Sequence, residues 1–127
     1  MLSQYKIRAT IPAKDLARAK KFYTETLGFK PIAEDPEFIR LESGGVQFGI
    51  YPTRASAGTA TVAEWEVADL QAEMKDLRNR GVTFEEYDIP GVKTVEGIHE
   101  FSPGERGAWF KDSEGNIIAL FESAKYG

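Results

Sequence analysis

Two stretches of this chain read as copies of one another. The first runs Ile11-Pro-Ala-Lys-Asp15-Leu16 and leads to Leu27-Gly28-Phe29; the second runs Trp65-Glu-Val-Ala-Asp69-Leu70 and leads to Arg80-Gly81-Val82. The two Asp-Leu pairs lie 54 positions apart. In each copy an alternating run ends at an aspartate, a residue whose carboxylate caps the free N–H groups of a helix start. Apolar residues then recur at helical spacing: Leu16, Ala19, Phe22, Tyr23 and Leu27 in the first copy, Leu70, Met74 and Leu77 in the second. Gly28 and Gly81 follow where a helix ends in the left-handed conformation. An extended segment comes next in both. A repeat of this length predicts two copies of one supersecondary unit.

Strands account for the rest of each copy. Phe38 to Glu42 and Val46 to Tyr51 flank Ser43-Gly44-Gly45, a hairpin signal. Ala108 to Lys111 and Asn116 to Glu122 flank Asp112-Ser-Glu-Gly115, which suits a turn ending in a left-handed glycine. Each half therefore reads β-α-β-β-β, an α+β class. The expected organisation is a single domain, residues 1–127, with module one at 5–52, a small-residue linker at 53–60 and module two at 61–123. Residues 88–106 hold Pro90, Gly91, Gly97, Pro103 and Gly104 and read as a long irregular binding loop or lid.

Composition narrows the function classes. The chain has 127 residues, 42% hydrophobic and 28% charged, so it can bury a core. It has no cysteine, which removes disulfides, thiolate metal sites and cysteine nucleophiles. A single histidine, His99, cannot build a two- or three-histidine metal centre. A net charge of −4 with dispersed Lys and Arg argues against a nucleic-acid partner. No leader pattern and no apolar run near the ~20 residues of a membrane span is seen, so the expectation is a cytoplasmic protein without a membrane partner.

Strand alternation assigns faces. Ile7, Ala9 and Ile11 share one parity, expected to pack on the helices, and Arg8 and Thr10 the other. In the matching strand Ala63, Trp65 and Val67 oppose Val62, Glu64 and Glu66. Phe48 and Ile50 oppose Gln47, Gly49 and Tyr51; Ile118 and Leu120 oppose Ile117, Ala119 and Phe121. The second parity mixes aromatics, small residues and a few polar groups, with Trp109 able to join. That mixture suits a ligand cleft.

The segments Asp15 to Tyr23 through Leu27-Gly28-Phe29, Val67-Ala-Asp69-Leu70 through Gly81-Val82, and Trp109-Phe110-Lys-Asp112-Ser-Glu-Gly115-Asn116 together resemble the vicinal-oxygen-chelate superfamily of glyoxalases, bleomycin-resistance proteins and extradiol dioxygenases. Ser113 stands where the family's closing signature usually has proline. The resemblance implies two βαβββ modules forming a curved mixed sheet around a cavity, often completed in a homodimer. It also implies either a metal enzyme or a metal-free drug-sequestering protein.

In the metal-dependent members, His, Gln or Glu ligands come from four strands. The matching positions here are Arg8 and Val62, seven residues before each capping Asp, Ala119, four after the turn glycine, and Gly49, four after Gly45. None of the four carries a ligating atom, since a guanidinium has no lone pair to offer. No cofactor is therefore expected, and a divalent metal is disfavoured. Glu64 and Glu66 alone make no metal site. Arg8 either grips an anionic ligand group or pairs with Glu64. His99 either acts as an acid-base group over the cleft or is merely exposed. Trp109 and Phe121 either stack on a flat ligand or fill the core. The expected ligand-binding set is Arg8, Thr10, Gln47, Gly49, Tyr51, Val62, Glu64, His99, Trp109, Ala119 and Phe121. The expected function is metal-free binding of a small molecule, a drug or metabolite. A glyoxalase-like lyase or isomerase, with displaced ligands or acid-base chemistry alone, is the alternative.

Overall fold

In the computed structural model, which describes residues 1–123, both aspartates cap helices. Asp15 accepts a hydrogen bond from the Arg18 N–H at 3.0 Å, and Asp69 accepts one from the Ala72 N–H at 3.1 Å. Helix α1 spans Leu16–Lys21 and widens into a π turn over Phe22–Thr26, with Leu27 N donating to Phe22 O at 3.0 Å. Helix α2 spans Leu70–Asn79. Gly28 and Gly81 follow with φ of 82° and 95°, the left-handed conformation that glycine adopts without strain. No helix among the described residues is long and apolar enough to cross a membrane.

Two compact units result, Met1–Ala57 and Gly58–Gly127. Module one holds β1 (Thr10–Ala13), β2 (Lys30–Asp35), β3 (Phe38–Ser43) and β4 (Val46–Pro52), in the sheet order β1-β4-β3-β2. Module two holds β5 (Thr61–Glu66), β6 (Asp88–Ile89), β7 (Val92–Lys93), β8 (His99–Ser102), β9 (Glu105–Lys111) and β10 (Ile117–Ser123). Its main sheet runs β5-β10-β9-β8, and β6 and β7 form a small hairpin. In each module the first strand lies parallel to the last, Thr10 opposite Gly49 and Glu64 opposite Ala119. Thr10 and Glu64 both stand five residues before a capping aspartate, so the repeat extends to the strand register.

Each module buries its own core. In module one Ile11, Ala13, Ile39, Leu41, Phe48 and Ile50 pack against Ala19 and Tyr23 of the helical segment. Tyr23 and Phe48 are 6.1 Å apart between ring centroids, and Phe29 and Phe48 5.5 Å. In module two Phe84, Phe110, Ile118 and Leu120 pack with Leu70 and Met74 of α2. The turns follow the residues that favour them. Gly44 and Gly45 have φ of 56° and 82° at the first hairpin. At the second, buried Asp112 accepts from Glu114 N at 2.8 Å and from Asn116 N at 2.9 Å.

Two expectations are corrected. Ile7 does not join the helix-facing parity: it is 95% exposed, and β1 begins only at Thr10. Pairing with β4 starts where Gly49 N donates to Ala9 O at 2.9 Å, so alternation before that point has no sheet to pack on. Residues 88–106 are also not an irregular loop. They carry β6, β7, β8 and the start of β9. The outer edge of β9 is filled in two pieces: Phe84 bridges Phe110 and Glu85 N donates to Trp109 O at 2.7 Å, while β8 pairs His99 with Gly107. The hairpin between these pieces is closed by Thr94, whose N–H donates to Tyr87 O at 2.8 Å and whose hydroxyl accepts from Tyr87 N at 2.7 Å.

Candidate functional site

The open face of the module-two sheet carries a run of aromatic rings. Trp109 of β9 lies beside Ala119 of β10, which lies beside Glu64 of β5. One step along, Phe121 stands opposite Gly107, and Gly107 opposite His99. Opposite residues share a face of the sheet, so these side chains emerge together. Phe101 lies across them, with centroids 4.6 Å from His99, 6.0 Å from Trp109 and 6.0 Å from Phe121. Tyr87 packs edge-on to Trp109 at 5.6 Å. Trp109 and Phe121 are half-buried and Phe101 is exposed, so ring surface remains on offer.

Gly107 makes this arrangement fit. A Cβ there would stand 2.9 Å from Phe101 Cε2, closer than real Cβ atoms come. The absence of a side chain lets the Phe101 ring lie over the strand. Next to the rings, a groove of about 420 Å³ is lined by Thr61, Glu85, Tyr87, Trp109, Lys111 and Ile117, among others. It thus offers a flat indole, a hydroxyl, a carboxylate and an ammonium within one module. Burial, then the negative charge of Glu85, raises the Tyr87 phenol above its usual pKa of 10.0.

His99 is tied to the hairpin rather than free over the rings. Its Nδ1 lies 3.2 Å from Lys93 N and 3.1 Å from Lys93 O. It accepts from the amide in one tautomer and donates to the carbonyl in the other. Glu122 braces the far end of β10. Its Oε1 accepts from Leu70 N at 3.0 Å, at the start of α2, and its Oε2 accepts from Arg106 Nη2 at 2.8 Å. These bonds, first that to Leu70 and then those to Arg106, hold its carboxyl below the usual glutamate range.

The remaining expected residues divide by module. Val62 and Glu64 are exposed on β5, whereas Ala119 is only 6% exposed and presents little surface. In module one, Thr10 and Tyr51 are exposed, and Gln47 and Gly49 half-exposed, on the parity opposite Ile11, Phe48 and Ile50. Arg8 lies before β1, exposed, and with Gln47 lines a groove of about 440 Å³. Its expected place on a strand face is therefore corrected, for the same reason as Ile7. Three residues on these faces went unread in the sequence: Tyr87, Phe101 and Arg40. Phe101 follows His99 at strand spacing, and Arg40 alternates with Ile39 and Leu41; both signals are present in the sequence.

The positions at which metal-dependent relatives carry ligands hold Arg8, Gly49, Val62 and Ala119, which have no atom to give a cation. Among the described residues no three His, Asp or Glu side chains gather as a metal site would require. Among the described residues, those at these four positions do not fit a bound divalent cation.

The family model of the glyoxalase/bleomycin resistance protein/dioxygenase superfamily matches residues 7–120. Similar solved structures include a lactoylglutathione lyase from Agrobacterium tumefaciens, at 17% identity and TM-score 0.69, with 97% of this chain and 96% of that one covered. An antibiotic-binding protein from Streptomyces sp. CB03234 is 22% identical with TM-score 0.66, covering 94% and 97%. A fosfomycin resistance protein from Listeria monocytogenes is 13% identical with TM-score 0.68, covering 94% and 93%. At these identities the likeness is one of fold. No curated protein sequence matches the chain. The family match spans most of the sequence, and the fold agrees with it: this chain belongs to the glyoxalase/bleomycin resistance protein/dioxygenase superfamily.

Proposed function

We propose that this chain is a small-molecule binding protein that holds a flat, partly polar ligand without a metal. The observation that carries the reading is the aromatic face of module two: Trp109, Phe101, Phe121, His99 and Tyr87 within 4.6 to 6.4 Å of their neighbours. Ring faces in a partly enclosed groove bind flat apolar surface, and Lys111, Glu85 and the Tyr87 hydroxyl orient its polar edges. The four positions without ligating atoms support a reading in which binding does not run through a cation. One antibiotic-binding protein among the structural relatives is consistent with it.

A panel of planar aromatic compounds titrated against tryptophan emission tests the proposal. Trp109→Leu separates the groove from Trp65, the other tryptophan, which is half-buried on the opposite parity of β5. The expected result is saturable quenching that survives chelator treatment and is lost in Trp109→Leu. Silence across the panel, or a response that needs added divalent cation, defeats the proposal. Stoichiometric metal in protein purified without chelators favours the lyase or isomerase alternative instead. A homodimer is also proposed, supported by the exposed apolar side chains Ile7, Val46 and Tyr51. Sedimentation that finds only monomer at micromolar concentration rejects it.

A further inference from the structure

We infer that module one carries an oxyanion-binding position at Arg40, which takes the carboxylate or phosphonate group of a small acidic ligand. Arg40 sits mid-strand in β3, on the parity opposite the buried Ile39 and Leu41. Strand register places it in a row with Ala33 on one side and with Gly49 and then Thr10 on the other. It therefore emerges on the open face of the module-one sheet, at the centre of four strands rather than at a rim.

Its Nε is buried and makes no hydrogen bond among the described residues. The Phe38 ring lies against the guanidinium, 5.4 Å from Cζ to centroid. An arginine placed for stability normally directs its planar fork at a carboxylate or at backbone carbonyls. A buried donor without a partner lowers stability. Such a departure from the rule of satisfied polar groups, with no local gain to offset it, is characteristic of a binding position.

The neighbouring residue supplies space. Gly49 stands directly across from Arg40, and a Cβ on it would meet only Ile39 O, at 3.7 Å. Gln47 and Tyr51 flank Gly49 on the same strand and parity, offering an amide and a phenol beside the anion. The Phe38 ring against the guanidinium limits its motion, so less freedom is lost when two N–H groups meet two oxygens.

The test uses the intact chain with arginine side chains labelled with nitrogen-15. Benzoate and phenylphosphonate serve as probes, and neutral benzamide as control. At least one oxyanion is expected to shift and sharpen the Arg40 Nε–H resonance, while benzamide leaves it in place. Arg40→Lys is expected to weaken that binding by about tenfold or more, because an ammonium cannot reproduce a two-point contact. Arg40→Met keeps the stem and removes the unpaired donor, so its thermal midpoint is expected to match or exceed that of the parent chain. If neither oxyanion moves the resonance, or if Arg40→Met melts lower, Arg40 is structural and the inference is wrong. The Trp109 response reports on module two, so failure here and failure of the proposed function remain separable.

Discussion

Replacing Glu122 by Gln removes one charge and leaves the shape almost unchanged. In the parent chain Oε1 accepts from Leu70 N at 3.0 Å, and Oε2 accepts from Arg106 Nε at 3.0 Å and Nη2 at 2.8 Å. Glutamine has one carbonyl oxygen. If it serves Leu70, its NH2 group faces the guanidinium; if it serves Arg106, it faces the helix N–H. One side of the brace is lost either way. A hydrogen bond to a charged group contributes about 1.5–3 kcal/mol. The Arg106 and Glu122 side chains are 27% and 20% exposed, so water screens part of this. The lower end, about 1.5 kcal/mol, is expected at pH 7, or a melting point lower by about 5 °C. The pH dependence has a definite sign. A carboxyl whose folded pKa is lowered contributes stability above the ordinary glutamate value of about 4.3, and loses it as pH falls through the folded value. Urea unfolding followed by far-ultraviolet circular dichroism should therefore show a gap between the two proteins at pH 7 that closes under acid conditions. Equal stability at pH 7, or a gap that persists undiminished in acid, would refute the brace.

Three further outcomes follow from the same geometry. Asp112→Ala leaves Glu114 N, Asn116 N and Asn116 Nδ2 without their acceptor at a buried turn, and should cost about 3 kcal/mol in urea unfolding. Gly107→Ala meets Phe101 Cε2 at 2.9 Å but not a strained backbone; the exposed ring can swing away. That variant should lose at most about 1.5 kcal/mol while shifting Trp109 emission, because Phe101 packs on Trp109. Tyr87 should ionise late in an alkaline absorbance titration, and Tyr87→Phe should remove that late phase. Its raised pKa means the unfolded chain releases the proton first, so stability should fall as pH rises past 10.0 in the parent and less steeply in the variant.

Local signals along the chain were sufficient for much of this protein. Asp15 and Asp69 cap, Gly28 and Gly81 end the helical segments, and the hairpins at Gly44-Gly45 and Asp112–Gly115 form, because each depends on residues within a few positions of one another. Alternation in β4 and β5 also assigns faces correctly, since a strand's period of two needs no knowledge of its partners. What the tertiary structure alone decided is where pairing begins and what lies across a strand. Ile7 and Arg8 continue the alternation of β1 but precede its first hydrogen bond to β4, so their parity has no consequence. The outer edge of β9 is filled by Phe84 and Glu85 and then by β8, joining residues more than a dozen positions apart around a hairpin. That distant pairing sets Phe101 over Gly107 and Tyr87 against Trp109. In module one, register across the Gly44-Gly45 hairpin sets Gly49 beside Arg40. The repeat determined two modules of known pattern; cross-strand register, a property of no single segment, decided which side chains meet on their open faces.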